Sequence, residues 1–193
     1  MNIGTNEDRR VRKTKKVLRD SLAELLTEKS IQNITIRELT DKADIHRSTF
    51  YANFVDIYDL YNHVEDTVID ELRDIFLNVN NLDSTQCVAL LFQYISANKQ
   101  TSRLVLGSNV STSFLHRVSA LFKDLCIAHW RTTYSLNGEN DKLGIYAHFL
   151  FSGYLGVIRD WVVSDFSQSE AELMSIISEI DRNIEQLIEQ KFT

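Results

Sequence analysis

Apolar residues recur at three- and four-residue intervals along most of this chain, the spacing that builds one face of an α-helix. Val11, Leu18, Leu22, Leu25 and Leu26 make the first such stripe and predict a helix over roughly residues 8 to 29. "ITIREL" then reads as a complete helix start, with Thr35 as N-cap, Glu38 three residues on to close a capping box, and Ile34 opposite Leu39 as a hydrophobic staple. This second helix runs from about 35 to 43. It must stop near Asp44, because continuing it through "DKADIHRSTF" would carry Asp44 and Arg47 into core positions, and Asp tolerates the left-handed backbone of a tight turn. A third helix follows at about 46 to 53. Asp56 with Asp59, and Val55 facing Leu60 as a second staple, start a fourth that continues to about 78 on Leu60, Val64, Val68, Leu72, Ile75 and Phe76. Longer amphipathic stretches come next, at about 84–97, 100–106, 111–134, 141–164 and 168–190, divided by "NVNNLDS", "LGSN" and "SLNGEN".

The pattern predicts an all-α chain of about nine helices and little or no strand. Composition points the same way, since a chain of 193 residues with no proline and 6 glycines has little of the turn punctuation that sheets need. No window approaches the roughly 18 uninterrupted apolar residues of a membrane span, and "MNIGTNEDRRVRKTKK" lacks the apolar core of a signal peptide. A cytoplasmic protein with no membrane partner is expected. Cys87 and Cys126 suit small apolar helix positions better than a disulfide framework or a metal site.

Charge changes the picture more than composition does. The formal net charge is −6, yet "RRVRKTKKVLR" at 9–19 carries seven basic residues and no acidic one. Residues 63–193 hold 10 Lys and Arg against 17 Asp and Glu, so the basic charge gathers near the start of the chain. It stands just ahead of two short helices joined by a tight turn, which with the first helix over their apolar side form a helix-turn-helix unit. Leu18, Leu22, Leu39, Ala43, Ile45, Phe50 and Phe54 would fill its core. With those side chains turned inward, the third helix presents Arg47, Ser48, Tyr51 and Asn53, with His46 and Thr49 beside them. Arg forks onto guanine, Ser addresses several base edges, hydroxyls suit phosphate oxygens, and the basic first helix supplies attraction to phosphate without regard to sequence. A protein-binding tri-helical module is the competing reading of the same unit.

The segment "ITIRELTDKADIHRSTFYANFVDIYDLYNHV" resembles the DNA-binding domain of the TetR family of bacterial transcriptional regulators. Its features are a Thr-led second helix, a tight turn, a Ser/Thr-aromatic-Tyr third helix ending in Phe, and an acidic-capped fourth helix, over about residues 9 to 65. The resemblance implies an N-terminal domain at 1–60 and a helical effector-binding and dimerisation domain at 61–193. It implies phosphate and base contacts from Thr35 and Arg37, base reading by Arg47 and Ser48, backbone contacts from Thr49, Tyr51 and Asn53, and His46 at the N-cap of the reading helix. Three positions depart from the family pattern: Ile57 stands where a phosphate-binding Lys is common, His46 where Ser or Thr is, and Ser48 where Gly is.

In the remaining two thirds, "YAHFLFSGYLGVIRDWVV" places Tyr146, Phe149, Leu150, Gly153, Val157, Trp161 and Val162 on one side of a helix, with Gly153 and Gly156 allowing close approach. The last helix spaces Leu173, Ile177, Ile180, Ile184 and Leu187 as a coiled-coil-like seam. The resemblance implies that these two helices, at about 141–164 and 168–190, pair with their symmetry mates in a homodimer. Two reading heads about one helical turn apart would then read a near-palindromic operator in double-stranded DNA. The helices at 84–134 and the inner part of the fourth would enclose a pocket for a small-molecule effector. Phe92, Tyr94, Phe114, Phe122 and Trp130 are its candidate walls, and His63, His116, His129 and His148 its candidate polar contacts. A protein partner docking on this half is the alternative signal. No glycine-rich phosphate loop, nucleophile elbow, metal motif or carboxylate dyad stands out, so no catalytic residue, metal or cofactor is expected.

Overall fold

The computed structural model describes residues 9–77, 83–107, 111–136 and 141–192. Among them are nine α-helices: α1 Arg9–Glu28, α2 Ile36–Lys42, α3 Arg47–Tyr51, α4 Ile57–Leu77, α5 Ser84–Ala97, α6 Lys99–Leu106, α7 Thr112–Thr133, α8 Asp141–Val163 and α9 Glu170–Phe192. One 3-10 turn, Ile31–Asn33, joins α1 to α2 and was not anticipated. The breaks read in "NVNNLDS", "LGSN" and "SLNGEN" fall largely on 78–82, 108–110 and 137–140, outside the described residues. No described helix is long and apolar enough to cross a membrane.

Thr35 caps α2 by accepting the Glu38 N–H at 3.2 Å, and Ile34 and Leu39 are both buried, as a staple requires. The capping box is only half made, however. The Glu38 carboxylate reaches Lys29 Nζ at 2.5 Å instead, because that ion pair ties α1 to α2 while a reciprocal cap would serve α2 alone. Lys42 Nζ to Glu24 at 2.9 Å makes a second tie across the same two helices. Helix α2 then ends in a Schellman motif, in which Asp44 takes the left-handed conformation at φ 51° and the N–H groups of Asp44 and Ile45 return to the Asp41 and Thr40 carbonyls.

The start of α4 follows expectation in one respect and departs from it in another. Asp56 accepts the Asp59 N–H at 2.8 Å, while Val55 is 78% exposed and forms no staple with Leu60. The Asp59 carboxylate holds the Val55 N–H at 2.9 Å, so a hydrogen bond rather than an apolar contact fixes the entry angle. Leu60, Val64, Val68, Leu72 and Phe76 are buried along α4, and one core cluster extends from Leu18 in α1 to Ile188 in α9.

Glu65 is the costly member of α4. It is 4% exposed, and its Oε1 has no hydrogen-bond partner among the described residues. Burial pushes its carboxyl above the ordinary range, against the opposing pull of Ser111 and Arg117 on the α7 side, with Asp66 and Tyr61 also facing it. A carboxyl whose folded pKa is raised adds no charge-burial cost while protonated, and that cost grows as the pH rises through the folded pKa. Glu65→Gln should therefore melt higher than wild type near pH ~7.5, with the gain closing as the pH falls toward ~4.5. Thermal unfolding at the two pH values checks this, and a gain that does not depend on pH would be against it.

Candidate nucleic-acid interface

Helix α3 is five residues long, too short to hold together on its own backbone bonds, so tertiary anchoring has to position it. Phe50, fully buried, supplies that anchor, with Phe54 5% exposed at a ring distance of 6.0 Å and the His63 ring 5.5 Å beyond it. Below them Leu18, Leu22, Leu39 and Ala43 are buried and Ile45 is half-buried, which is the anticipated core.

The residues left over face outward. His46, Arg47 and Ser48 are exposed, Thr49 is half-buried, and none of these four side chains makes a hydrogen bond or ion pair among the described residues. His46 occupies the N-cap position of α3 without capping it. Tyr51 is 59% exposed and meets only the edge of Phe50, with rings 5.6 Å apart at 85°. Asn53 differs from the rest, since its amide is half-buried and donates to the Thr49 carbonyl at 2.8 Å, closing the helix end. On α2, Thr35 spends its hydroxyl on the cap, and the exposed Arg37 guanidinium lies 3.6 Å from Asp41. Ile57, where a lysine would offer a charge, is 6% exposed and part of the core. Five residues therefore form an open polar face at the start of α3, while Thr35, Arg37 and Asn53 hold local structure at its margins. Helix α1 adds Arg9, Arg10, Arg12, Lys13 and Lys16, all exposed.

In the C-terminal half, Val68 and Leu72 of α4 with residues of α5 to α8 line a cavity of about 40 Å³, room for a few waters at most. Tyr94 and Phe114 are in its wall as expected. Phe92 packs on Trp161 at 4.9 Å, Phe122 on Phe151 and Tyr154, and Trp130 is fully buried elsewhere. None of the four histidines lines it. His63 stacks on Phe54, His116 and His148 are exposed, and His129 lies 3.9 Å from Glu185. Cys87 and Cys126 are buried helix residues, and burial pushes the Cys87 thiol up to about 12. The described residues contain no cluster suited to a metal ion.

The two last helices each have two apolar faces where one was anticipated. Leu150, Tyr154, Ile158, Trp161 and Val162 of α8 and Ile177 and Ile188 of α9 are buried within the chain. Ile145, Phe149 and Val163 of α8 and Ile176 and Ile180 of α9 are exposed, and a Cβ added at Gly153 or Gly156 would meet nothing within 4 Å. Leu150, Trp161 and Val162 of the expected α8 side and Ile177 of the expected α9 seam thus belong to the chain's own core. Asp181 is buried beside them, taking hydroxyl hydrogen bonds from Tyr154 and, at 2.9 Å, from Thr85.

A family model of the TetR class, described as a transcriptional regulator C-terminal region, matches residues 82–183, more than half of the chain. No curated protein matches by sequence. Several solved structures are similar. NalD of Pseudomonas aeruginosa, the secondary repressor of the MexAB-OprM multidrug efflux pump, is 15% identical, with 89% of this chain and 96% of that one covered at a TM-score of 0.66. The dihydroxyacetone kinase operon activator DhaS is 16% identical over 93% and 98% of the two chains, TM-score 0.65. A TetR transcriptional regulator from Streptococcus agalactiae is 18% identical over 94% and 96%, TM-score 0.61. At these identities the likeness is one of fold.

Side chains that only present themselves should matter little to stability. Arg47→Ala and Ser48→Ala should each change unfolding free energy by no more than about 0.5 kcal/mol, and Phe50→Ala should cost about 3–5 kcal/mol. Denaturant unfolding of the three variants distinguishes a contact face from a structural one, and a large loss in Arg47→Ala would mean that this side chain serves the fold.

Proposed function

The chain belongs to the TetR family of transcriptional regulators, and from that premise we propose that it is a homodimeric repressor whose grip on a near-palindromic operator is changed by a signal taken up in the C-terminal half. The observation that carries the reading is the open face of α3, where His46, Arg47, Ser48, Thr49 and Tyr51 are presented while Phe50 holds the helix from behind. Arg47 and Ser48 are suited to base edges in the major groove, Thr49 and Tyr51 to phosphate oxygens, and Thr35, Arg37 and Asn53 to the flanking backbone. The seven basic residues of 9–19 add the salt-dependent attraction. A protein acting on DNA in this way works in the cytoplasm of a bacterial cell. NalD is a repressor and DhaS an activator, so the fold accommodates both signs of control.

The dimer reading is supported by the outer stripe of α8 and α9. Ile145, Phe149 and Val163 of α8 and Ile176 and Ile180 of α9 are large apolar side chains left in solvent that a second copy would cover, and the open space at Gly153 and Gly156 suits close helix approach. The cavity supports an apolar signal, since its walls are Leu, Val, Ile and Phe side chains with a few hydroxyls. At about 40 Å³ it must widen to admit any ligand of ordinary size, and the widening would displace α4 or α6. A coupling of roughly 1–3 kcal/mol between signal and operator is what such a displacement has to supply. That same closure favours the second reading, in which a protein partner delivers the signal from outside.

Titration of the protein against a fluorescent duplex from its own upstream region and a scrambled duplex, at two salt concentrations, tests DNA reading. Wild type should prefer the upstream duplex, and Arg47→Ala should lose about 1–3 kcal/mol of that preference. Equal binding of both duplexes by wild type would move the operator elsewhere, and no binding would favour an interaction module. For the dimer, Phe149→Glu should convert a dimer to a folded monomer in light scattering, and a variant that stays dimeric would exclude this face.

A further inference from the structure

A basic groove lies between α1, the α5–α6 corner and α4, and meets the apolar cavity only at Val68. It has two lobes, of about 330 and 400 Å³, which share Lys16, Arg19 and Thr101. Arg12 and Lys15 add charge to the first lobe and Lys99 to the second. Arg12 and Lys16, one turn apart on α1, have no ion pair among the described residues. The two carboxylates in the groove are already engaged, Asp20 with Arg19 at 3.1 Å and Glu71 with the Tyr94 hydroxyl at 2.5 Å. Its cations therefore outweigh its anions.

Two features of α6 give this charge a focus. Asn98, in the N-cap position, caps nothing with its side chain, whose Nδ2 donates to the Tyr94 carbonyl at the end of α5 at 2.9 Å. The first return bond of α6 is made by Ser102 to the Asn98 carbonyl, so the N–H groups of Lys99, Gln100 and Thr101 precede the helical ladder and point out of its end. Independently, Thr101 lines both lobes and is 5% exposed, and its hydroxyl has no hydrogen-bond partner among the described residues. The hydroxyl is open to the groove and is not among the sealed, unsatisfied atoms of the core, so an acceptor bound there can take its hydrogen bond. The floor beside it, Leu60, Val64 and Val68, is apolar.

We propose that this groove binds a small molecule carrying a phosphate or carboxylate group, with the anion on the Thr101 hydroxyl and the α6 N-terminus, Lys16 and Arg19 closing over it, and an apolar portion against Leu60 and Val64. The anion bridges α1 to α6, so its binding stabilises the junction between the reading head and the regulatory half. Anion binding here requires neither an occupant in the apolar cavity nor DNA reading by the chain.

Thermal unfolding of the full chain tests it, with inorganic phosphate, phenyl phosphate and benzoate each compared against chloride at matched ionic strength. Wild type should gain ~3 °C or more with phenyl phosphate near saturation, and less with inorganic phosphate. A gain with benzoate equal to that with phenyl phosphate would assign the site to carboxylates, and a smaller one to phosphates. Thr101→Val and Lys16→Gln should each lose at least half of the larger gain, while Thr101→Val in chloride should melt no lower than wild type, because it removes a hydroxyl that has no partner. No gain with any of the three anions, or gains equal in all three proteins, overturns the proposal. So does a Lys16→Gln variant that weakens duplex binding while wild type ignores the small anions, which would assign the groove to the DNA backbone.

Discussion

Five residues of α-helix are not stable in water, because the backbone order they require is repaid by too few hydrogen bonds. Everything that Arg47–Tyr51 presents depends on Phe50 being fixed in a core made by other elements. Full burial of such a ring is worth about 1.5–3 kcal/mol, enough to hold one short turn and little more. The rest of the unit follows from the need to keep that seat intact. Leu18 and Leu22 come from α1, Leu39 and Ala43 from α2, and the left-handed Asp44 sets how soon the chain can turn back. Two ion pairs, Lys29 with Glu38 and Lys42 with Glu24, then lock α1 against α2 on the open side of the seat. Each is partly exposed and worth little alone. Together they resist sliding of α1 on α2, the two helices that supply most of the core behind Phe50.

Helix α4 extends this dependence to the rest of the chain. Its first turn is Ile57 and Leu60 in the core of the reading unit, and its last is Phe76 in the core of the regulatory half. Val64, Val68, Ile69 and Leu72 between them are buried too, so a displacement at one end would be felt along the whole rod. Glu65 sits in that stretch, with one oxygen unsatisfied and its neighbour Asp66 paired to Arg117 at 2.6 Å. An apolar residue there would give a firmer contact with α7. The buried acid instead leaves α4 and α7 in an arrangement whose stability depends on protonation and on what approaches that oxygen.

How much of this could be read from residues alone varied with the kind of signal. Local signals read well. The Thr35 cap, the stop at Asp44 and the inward Phe50 and Phe54 are set within a few residues, and the structure has them where the spacing put them. Partner choice read poorly. Glu38 and Val55 each had a local role available and took another: the Glu38 carboxylate went to Lys29, which helical spacing does not bring near, and the Val55 N–H went to the Asp59 carboxylate while its side chain stayed in solvent. In α8 and α9 the failure was of another kind. A helix with apolar residues on two faces gives a pattern that is apolar nearly all round, and periodicity alone cannot say that Leu150 turns to the chain's own core while Phe149 turns out. The groove beside α1 was invisible for a third reason: Thr101 and Lys16 are 85 residues apart in the chain, and an unpartnered hydroxyl leaves no mark in a sequence.

Helix α6 is where these environments meet. Its N-terminal turn ends in the basic groove against α1, and Ser102, Val105 and Leu106 on its other side line the apolar cavity. Arg103 pairs with Asp165 and lies 5.3 Å from the Phe166 ring, at a corner where both residues take positive φ to end α8. An eight-residue helix held by three such different contacts cannot satisfy a change at one of them without moving at the others. Widening the cavity would push on Val105 and Leu106, and an anion at Thr101 would draw the opposite end toward α1. If both sites are occupied in turn, coupling between them follows from the shared helix, and it must be reciprocal because it is a property of one equilibrium.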